Sequence, residues 1–180
     1  DDNLEIKKRE AFEEPANIVS SCFEIYDSYY LVGSRFSSIA VFDTKKENNN
    51  STVLKNLTSG DTITSIQLSD LGPMFEPIFA ITNRDGYYKF IKCDFKNLGN
   101  DGFYEVLHSN KITKGFLEGS YLDSRLNFIT YGFKSSLFYI YDETECLEIA
   151  SEVCGGAHRQ WHFCKENVED LVLTYIKASK

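Results

Sequence analysis

The chain has 180 residues, with 19 Lys and Arg against 27 Asp and Glu, a net charge of −8, and 14% aromatic residues. The length suits one ordinary domain or part of a larger one, and the acidic balance excludes a polybasic or histone-like binder, because gripping phosphate takes concentrated Lys and Arg. No apolar run approaches the roughly 18 residues that cross a bilayer, and the opening stretch DDNLEIKKREAFEE lacks the apolar centre of a signal peptide, so the expected setting is cytoplasmic, with no membrane partner.

Residues 1–17 alternate charges around a few apolar positions and read as a linker or surface segment. After them the chain repeats. Short runs rich in Ile, Val, Tyr and Phe alternate with turn residues, as in antiparallel strands joined by tight loops. Inner strands are expected at 18–25, 63–68, 112–117 and 159–164. Second strands follow: YYLVGSR from Tyr29, IFAITNR from Ile78, LNFITYG from Leu126 and DLVLTYI from Asp170. Their starts are about 49, 48 and 44 residues apart, within the spacing of propeller blades. Third strands run at 38–43, 90–94 and 137–142, each ending on an Asp at the same phase: Asp43, Asp94 and Asp142. Aromatic-Asp at a strand end is the degenerate form of the Trp-Asp dipeptide of WD-repeat blades. Outer strands are expected at 52–57, 103–108 and 146–153.

The expected fold is therefore all-β, a WD-repeat-like β-propeller of about three and a half blades: 18–58, 59–109, 110–156, and an incomplete blade at 157–180. An arc of this size cannot close a ring, so the chain is expected to belong to a longer, multi-propeller protein. A β-sandwich would supply similar short strands but no reason to repeat an Asp at that period.

Chemistry is sparse. No phosphate-cradling glycine loop, nucleophile elbow or His-Glu-x-x-His signature occurs. The five Cys contain no C-x-x-C pair and read as reduced thiols. Asn49, Asn50 and Asn56 open N-x-Ser/Thr triplets, which read as a polar loop in an unsecreted chain. Asp43, Asp94 and Asp142 read as turn or blade-locking residues, not as catalytic carboxylates. Gly33 and Gly132, in second strands, read as sites of close neighbour packing.

The most unusual window is Cys154-Gly155-Gly156-Ala157-His158-Arg159-Gln160-Trp161-His162-Phe163-Cys164, which holds the only Trp. A zinc site can be drawn from Cys154, His158, His162 and Cys164, but on a strand His158 and His162 lie roughly 13 Å apart, too far for one tetrahedral ion; no metal is expected. A second reading places His158 where WD repeats carry the His of a Gly-His pair, with Trp161 and Phe163 filling the gap between blades. A third makes Arg159 an outward contact for protein or RNA. The last two are compatible. Lys111, Lys114, Arg125 and Lys134 in the third blade are further cations, interrupted by Glu118 and Asp123, and read from the residues alone as a mixed solvated surface.

In the segment Cys154, Gly155, Gly156, His158, Arg159 and Trp161, following degenerate blades, the chain resembles the WD-repeat protein six-like family. That family is the non-catalytic partner of the eukaryotic tRNA anticodon-loop ribose 2′-O-methyltransferase. The resemblance implies a scaffold that is not itself an enzyme. It would bind a SAM-dependent methyltransferase subunit and position tRNA so that the wobble nucleotide is methylated. It implies no cofactor on this chain, since SAM would sit on the catalytic partner. Arg159, with Lys111, Lys114 or Lys134, would hold the partner or the tRNA backbone. The other reading is a general protein-interaction propeller, such as a ubiquitin-ligase adaptor or trafficking scaffold, with no RNA role.

Overall fold

The computed structural model describes residues 20–45, 51–54, 61–69, 71–72, 74–112, 116–165 and 171–176. The expected linker at 1–17, the triplet residues Asn49, Asn50 and Asn56, and Lys114 lie outside the described residues.

Among the described residues fourteen strands form three four-stranded antiparallel sheets and one hairpin. The first sheet is β1 (Ser20–Tyr26), β2 (Tyr29–Ser34), β3 (Ile39–Asp43) and β4 (Ser51–Leu54). The second is β5 (Ile63–Ser69), β6 (Ile78–Asn83), β7 (Tyr87–Cys93) and β8 (Tyr104–Lys111). The third is β9 (Phe116–Leu122), β10 (Phe128–Lys134), β11 (Leu137–Asp142) and β12 (Leu147–Val153). The hairpin is β13 (Trp161–Lys165) with β14 (Leu171–Tyr175). Within each sheet the strands lie in sequence order, so each is a meander, or blade.

Alternation along the strands assigns each face to a neighbouring blade. All six residues of β6 are buried because its blade is covered on both sides. Phe79 and Ile81 join Leu31, Val41, Ile63 and Ile91 in the core against the first blade. Ile78 and Ala80 join Tyr88, Phe90, Leu117 and Leu122 in the core against the third. Each fully buried Ile or Phe here contributes about 2 kcal/mol by leaving water. Polar contacts cross the same seams. Ser21 donates to the Ile63 carbonyl (2.6 Å), Glu24 accepts from the Leu68 N–H (3.1 Å), and the buried hydroxyls of Thr82 and Ser120 meet at 2.8 Å.

Several expected boundaries shift. The outer strand of the second blade extends to Lys111, past the expected end at 109, and the inner strand of the third is Phe116–Leu122, not 112–117. Gly119, in the middle of that inner strand, is a packing requirement. A Cβ there would run into the Tyr131 ring, whose hydroxyl lies 2.8 Å from Gln67 Nε2 on the second blade. Strand β7 stops at Cys93, and Asp94 caps a 3₁₀ turn, Phe95–Asn97, whose Phe95 stacks on Tyr29 with ring centroids 4.2 Å apart. The hairpin's inner strand begins at Trp161 instead of 159.

Candidate functional site

The connection from β12 to β13 is built as a ledge on the third blade. The N–H groups of Cys154 and Gly155 both donate to the Ser136 carbonyl, at 3.1 Å each, in the turn between β10 and β11. Cys154 is buried, its thiol 3.8 Å from the same carbonyl. Gly155 and Gly156 both have φ +94°, a conformation that only Gly adopts without strain. A Cβ on Gly156 would sit 2.7 Å from the Ser135 carbonyl oxygen, so the close approach to the turn also excludes a side chain. The Arg159 N–H then closes a turn onto the Gly156 carbonyl (3.1 Å). The Arg159 stem lies over Gly155, with its Cγ 3.2 Å from where a Cβ would stand, and the residue is exposed. His158 is also exposed and lines a cleft beside the ledge.

The far end of the ledge is anchored by aromatic rings. Trp161 meets Phe133 edge-on at 5.1 Å, and Phe163 lies 4.5 Å from Tyr131. Both join a core containing Phe138, Ile140, Leu171 and Leu173. Trp161 and Phe163 thus face the third blade, and His162 between them is exposed. Among the described residues no group of three His, Cys, Asp or Glu converges on a point where a metal ion could sit.

The other cations are arranged differently from their sequence grouping. Lys111 belongs to the outer strand of the second blade, not to the third; its ammonium lies 4.6 Å above the Tyr87 ring and 3.8 Å from Asp85. Lys134 makes the same device in the third blade, 4.5 Å above Tyr139 and 3.9 Å from Glu148. Both are held within their own blades. Arg125 lies at the opposite end of the third sheet, in the turn between β9 and β10.

The three repeated Asp share a role in turn geometry. Each carboxylate accepts the N–H two residues on: Lys45 to Asp43 (3.0 Å), Lys96 to Asp94 (3.0 Å) and Thr144 to Asp142 (2.8 Å). Asp142 is buried and also accepts from Glu145 N–H (2.9 Å) and the Asn127 amide (2.9 Å).

A cleft of about 730 Å³ lies between the second and third blades and the ledge. Arg84, Phe116, Glu118, Ser135, Gly155 and His158 line it. Burial pushes the Glu118 carboxyl above the usual carboxylate range. Arg84 and Phe116 escape sequence reasoning, as does the place of Glu118 in the cleft, although one signal was present: the second strands of the first two blades both run straight into Arg, as GSR and TNR.

Comparison of the coordinates with solved structures identifies the architecture. The β-propeller domain of Cps50 (Swd1) from Myceliophteria thermophila superposes with a TM-score of 0.54 at 10% identity, over 86% of this chain and 50% of that one. The fold is a WD40-like β-propeller. Raptor from Chaetomium thermophilum superposes with the same TM-score, 0.54, at 12% identity, over 81% of this chain and 13% of that one. The chain spans only part of both propeller proteins, and its three blades and hairpin make an arc of about three and a half blades. No protein-family model matches the chain, and no curated protein matches it in sequence.

Proposed function

We propose that this arc belongs to a non-catalytic scaffold that holds a SAM-dependent tRNA ribose methyltransferase in the cytoplasm and presents the wobble nucleotide for 2′-O-methylation. The observation that carries the reading is the Cys-Gly-Gly-x-His-Arg-x-Trp ledge. Two left-handed glycines, a buried Cys and an anchoring Trp fix the backbone so that Arg159 stands exposed on a rigid base. A pre-organised guanidinium loses little freedom when it forks onto a phosphate or carboxylate, which suits a contact whose task is positioning. In this reading the chain adds no catalytic residue, and SAM binds to the partner subunit.

Capture of the full-length protein from cell extract tests the proposal. Recovery of a ribose methyltransferase together with tRNA supports it, and loss of tRNA methylation on Arg159→Glu in the full-length protein supports the role of the ledge. A second reading, a propeller that binds only proteins, draws on the net charge of −8 and on the engagement of Lys111 and Lys134 inside their blades. Recovery of ubiquitin-ligase or trafficking components without RNA would replace the first reading with this one.

A further inference from the structure

The turns that join second to third strands all emerge at one end of the sheets, the end that carries the ledge. Arg35 follows β2 and Arg84 follows β6 at the same position of the repeat, and both are exposed. Unlike Lys111 and Lys134, neither has a carboxylate partner among the described residues, and Arg159 shares that state. The turns are rigid. The N–H groups of Phe36 and Ser38 donate to the Ser34 hydroxyl at 3.0 and 3.2 Å. Buried Asn83 donates to the Asp61 carbonyl at 2.9 Å and accepts the Gly86 N–H at 3.1 Å.

Two large rings lie exposed among these cations. Phe36 is adjacent to Arg35 and 61% exposed; Phe116 lines the cleft with Arg84 and is also 61% exposed. Guanidiniums with no carboxylate partner among the described residues, set beside open aromatic faces, suit an unpaired polynucleotide, with charge for phosphate and a flat surface for a base. An acidic protein segment would use the guanidiniums but has no flat π-faces to spread on the rings. Among the described residues Glu118 is the one carboxylate lining the cleft, against the guanidinium of Arg84 and the imidazole of His158.

We propose that Arg35 and Arg84, with Phe36 and Phe116, extend the Arg159 ledge into a binding track for a single-stranded RNA segment, guanidiniums on phosphates and rings under bases. This rests on the tRNA reading above and adds its contact surface, which does not draw on Lys111 or Lys134.

The test is binding of fluorescent single-stranded oligoadenylate to the full-length protein across a salt series. The double variant Arg35→Glu/Arg84→Glu is expected to bind at least about tenfold more weakly. Its slope of log affinity against log salt should fall by about 1.4, at about 0.7 per phosphate contact on a single strand. Phe116→Ala and Phe36→Ala are expected to weaken binding about tenfold with the salt slope unchanged, since stacking releases no counterions. Arg125→Glu, the same charge change at the opposite end of the sheet, should alter neither. A wild-type slope in the double variant overturns the track. So does displacement of the RNA by polyglutamate together with silent Phe variants, which would assign the surface to an acidic protein segment. The two proposals fail separately: wild-type protein that binds tRNA normally while the variants are silent sinks only the track, whereas wild-type protein that recovers neither tRNA nor methyltransferase sinks the parent reading.

Discussion

Replacing Gly155 and Gly156 by Ala, one at a time, dissects the ledge. Both residues have φ +94°, so the cost of forcing an L side chain into the left-handed region is common to the two variants, at about 1–2 kcal/mol. The surroundings differ. At Gly155 the new methyl would meet the Arg159 side chain, with Cγ at 3.2 Å, a flexible stem that can swing aside. At Gly156 it would meet the Ser135 carbonyl oxygen at 2.7 Å, part of a turn that already holds the ledge through Ser136. Moving backbone adds about 1–3 kcal/mol, as overpacking does elsewhere. Gly156→Ala should therefore cost about 2–5 kcal/mol and Gly155→Ala about 1–2. Urea titration with a shared m-value reads both, and a constant m confirms that stability and not the unfolded state has changed. Equal losses at the two positions, or a larger loss at Gly155, would refute the argument that the turn and not the backbone angle sets the constraint.

Trp161→Ala should lose about 2–4 kcal/mol, because Trp161 packs on Phe133 and Phe138, whereas Trp161→Phe should keep most of the stability; thermal melts decide between them. Asp142→Ala removes the buried acceptor of three part-buried hydrogen bonds and should cost about 3 kcal/mol, against about 1 kcal/mol for Asp94→Ala at the cap of the 3₁₀ turn, measured by denaturant midpoints. Burial pushes the Cys22 thiol up to about 11 and the Cys93 thiol up to about 12. Iodoacetamide at pH 8 should thus label exposed Cys146 first and Cys93 at least about 100-fold more slowly, as read by mass spectrometry. Because burial raises the Glu118 carboxyl above its unfolded value, its contribution is full at acid pH and lost as pH rises through the folded value. Glu118→Gln should be more stable than wild type at pH 7, with the gap closing below about pH 4, and a gap that persists into acid would refute the assignment.

Most of the fold was legible because strand alternation and a period near 48 residues are local signals; the burial of all six residues of β6, Thr82 and Asn83 included, was not, since it depends on the neighbouring blades. The packing role of Gly119 in β9 was not legible, because the ring that excludes a side chain there, Tyr131, comes twelve residues later. The in-blade partners of Lys111 and Lys134, and the place of Lys111 in the second blade, were hidden for a related reason. Lys111 is paired with Tyr87 by register and Lys134 reaches Tyr139 diagonally, relations that exist only once strands are aligned. The glycines at 155 and 156 were visible as a motif, yet their reason, a carbonyl of the preceding blade, was not.

That carbonyl has a practical consequence for dividing the chain. Counting repeats suggests a cut between Val153 and Trp161, after the last strand of one blade and before the first of the next. In space the segment at that cut is fastened backward: Cys154 and Gly155 hang from Ser136, and Trp161 rests on Phe133. A fragment ending at Val153 would strip the third blade of its rim and uncover Phe133 and Phe138. A fragment beginning at Trp161 would leave Arg159 behind. The unit that carries the candidate contact is the third blade plus the hairpin after it, and expression boundaries drawn around that pair keep the ledge with the surface that shapes it.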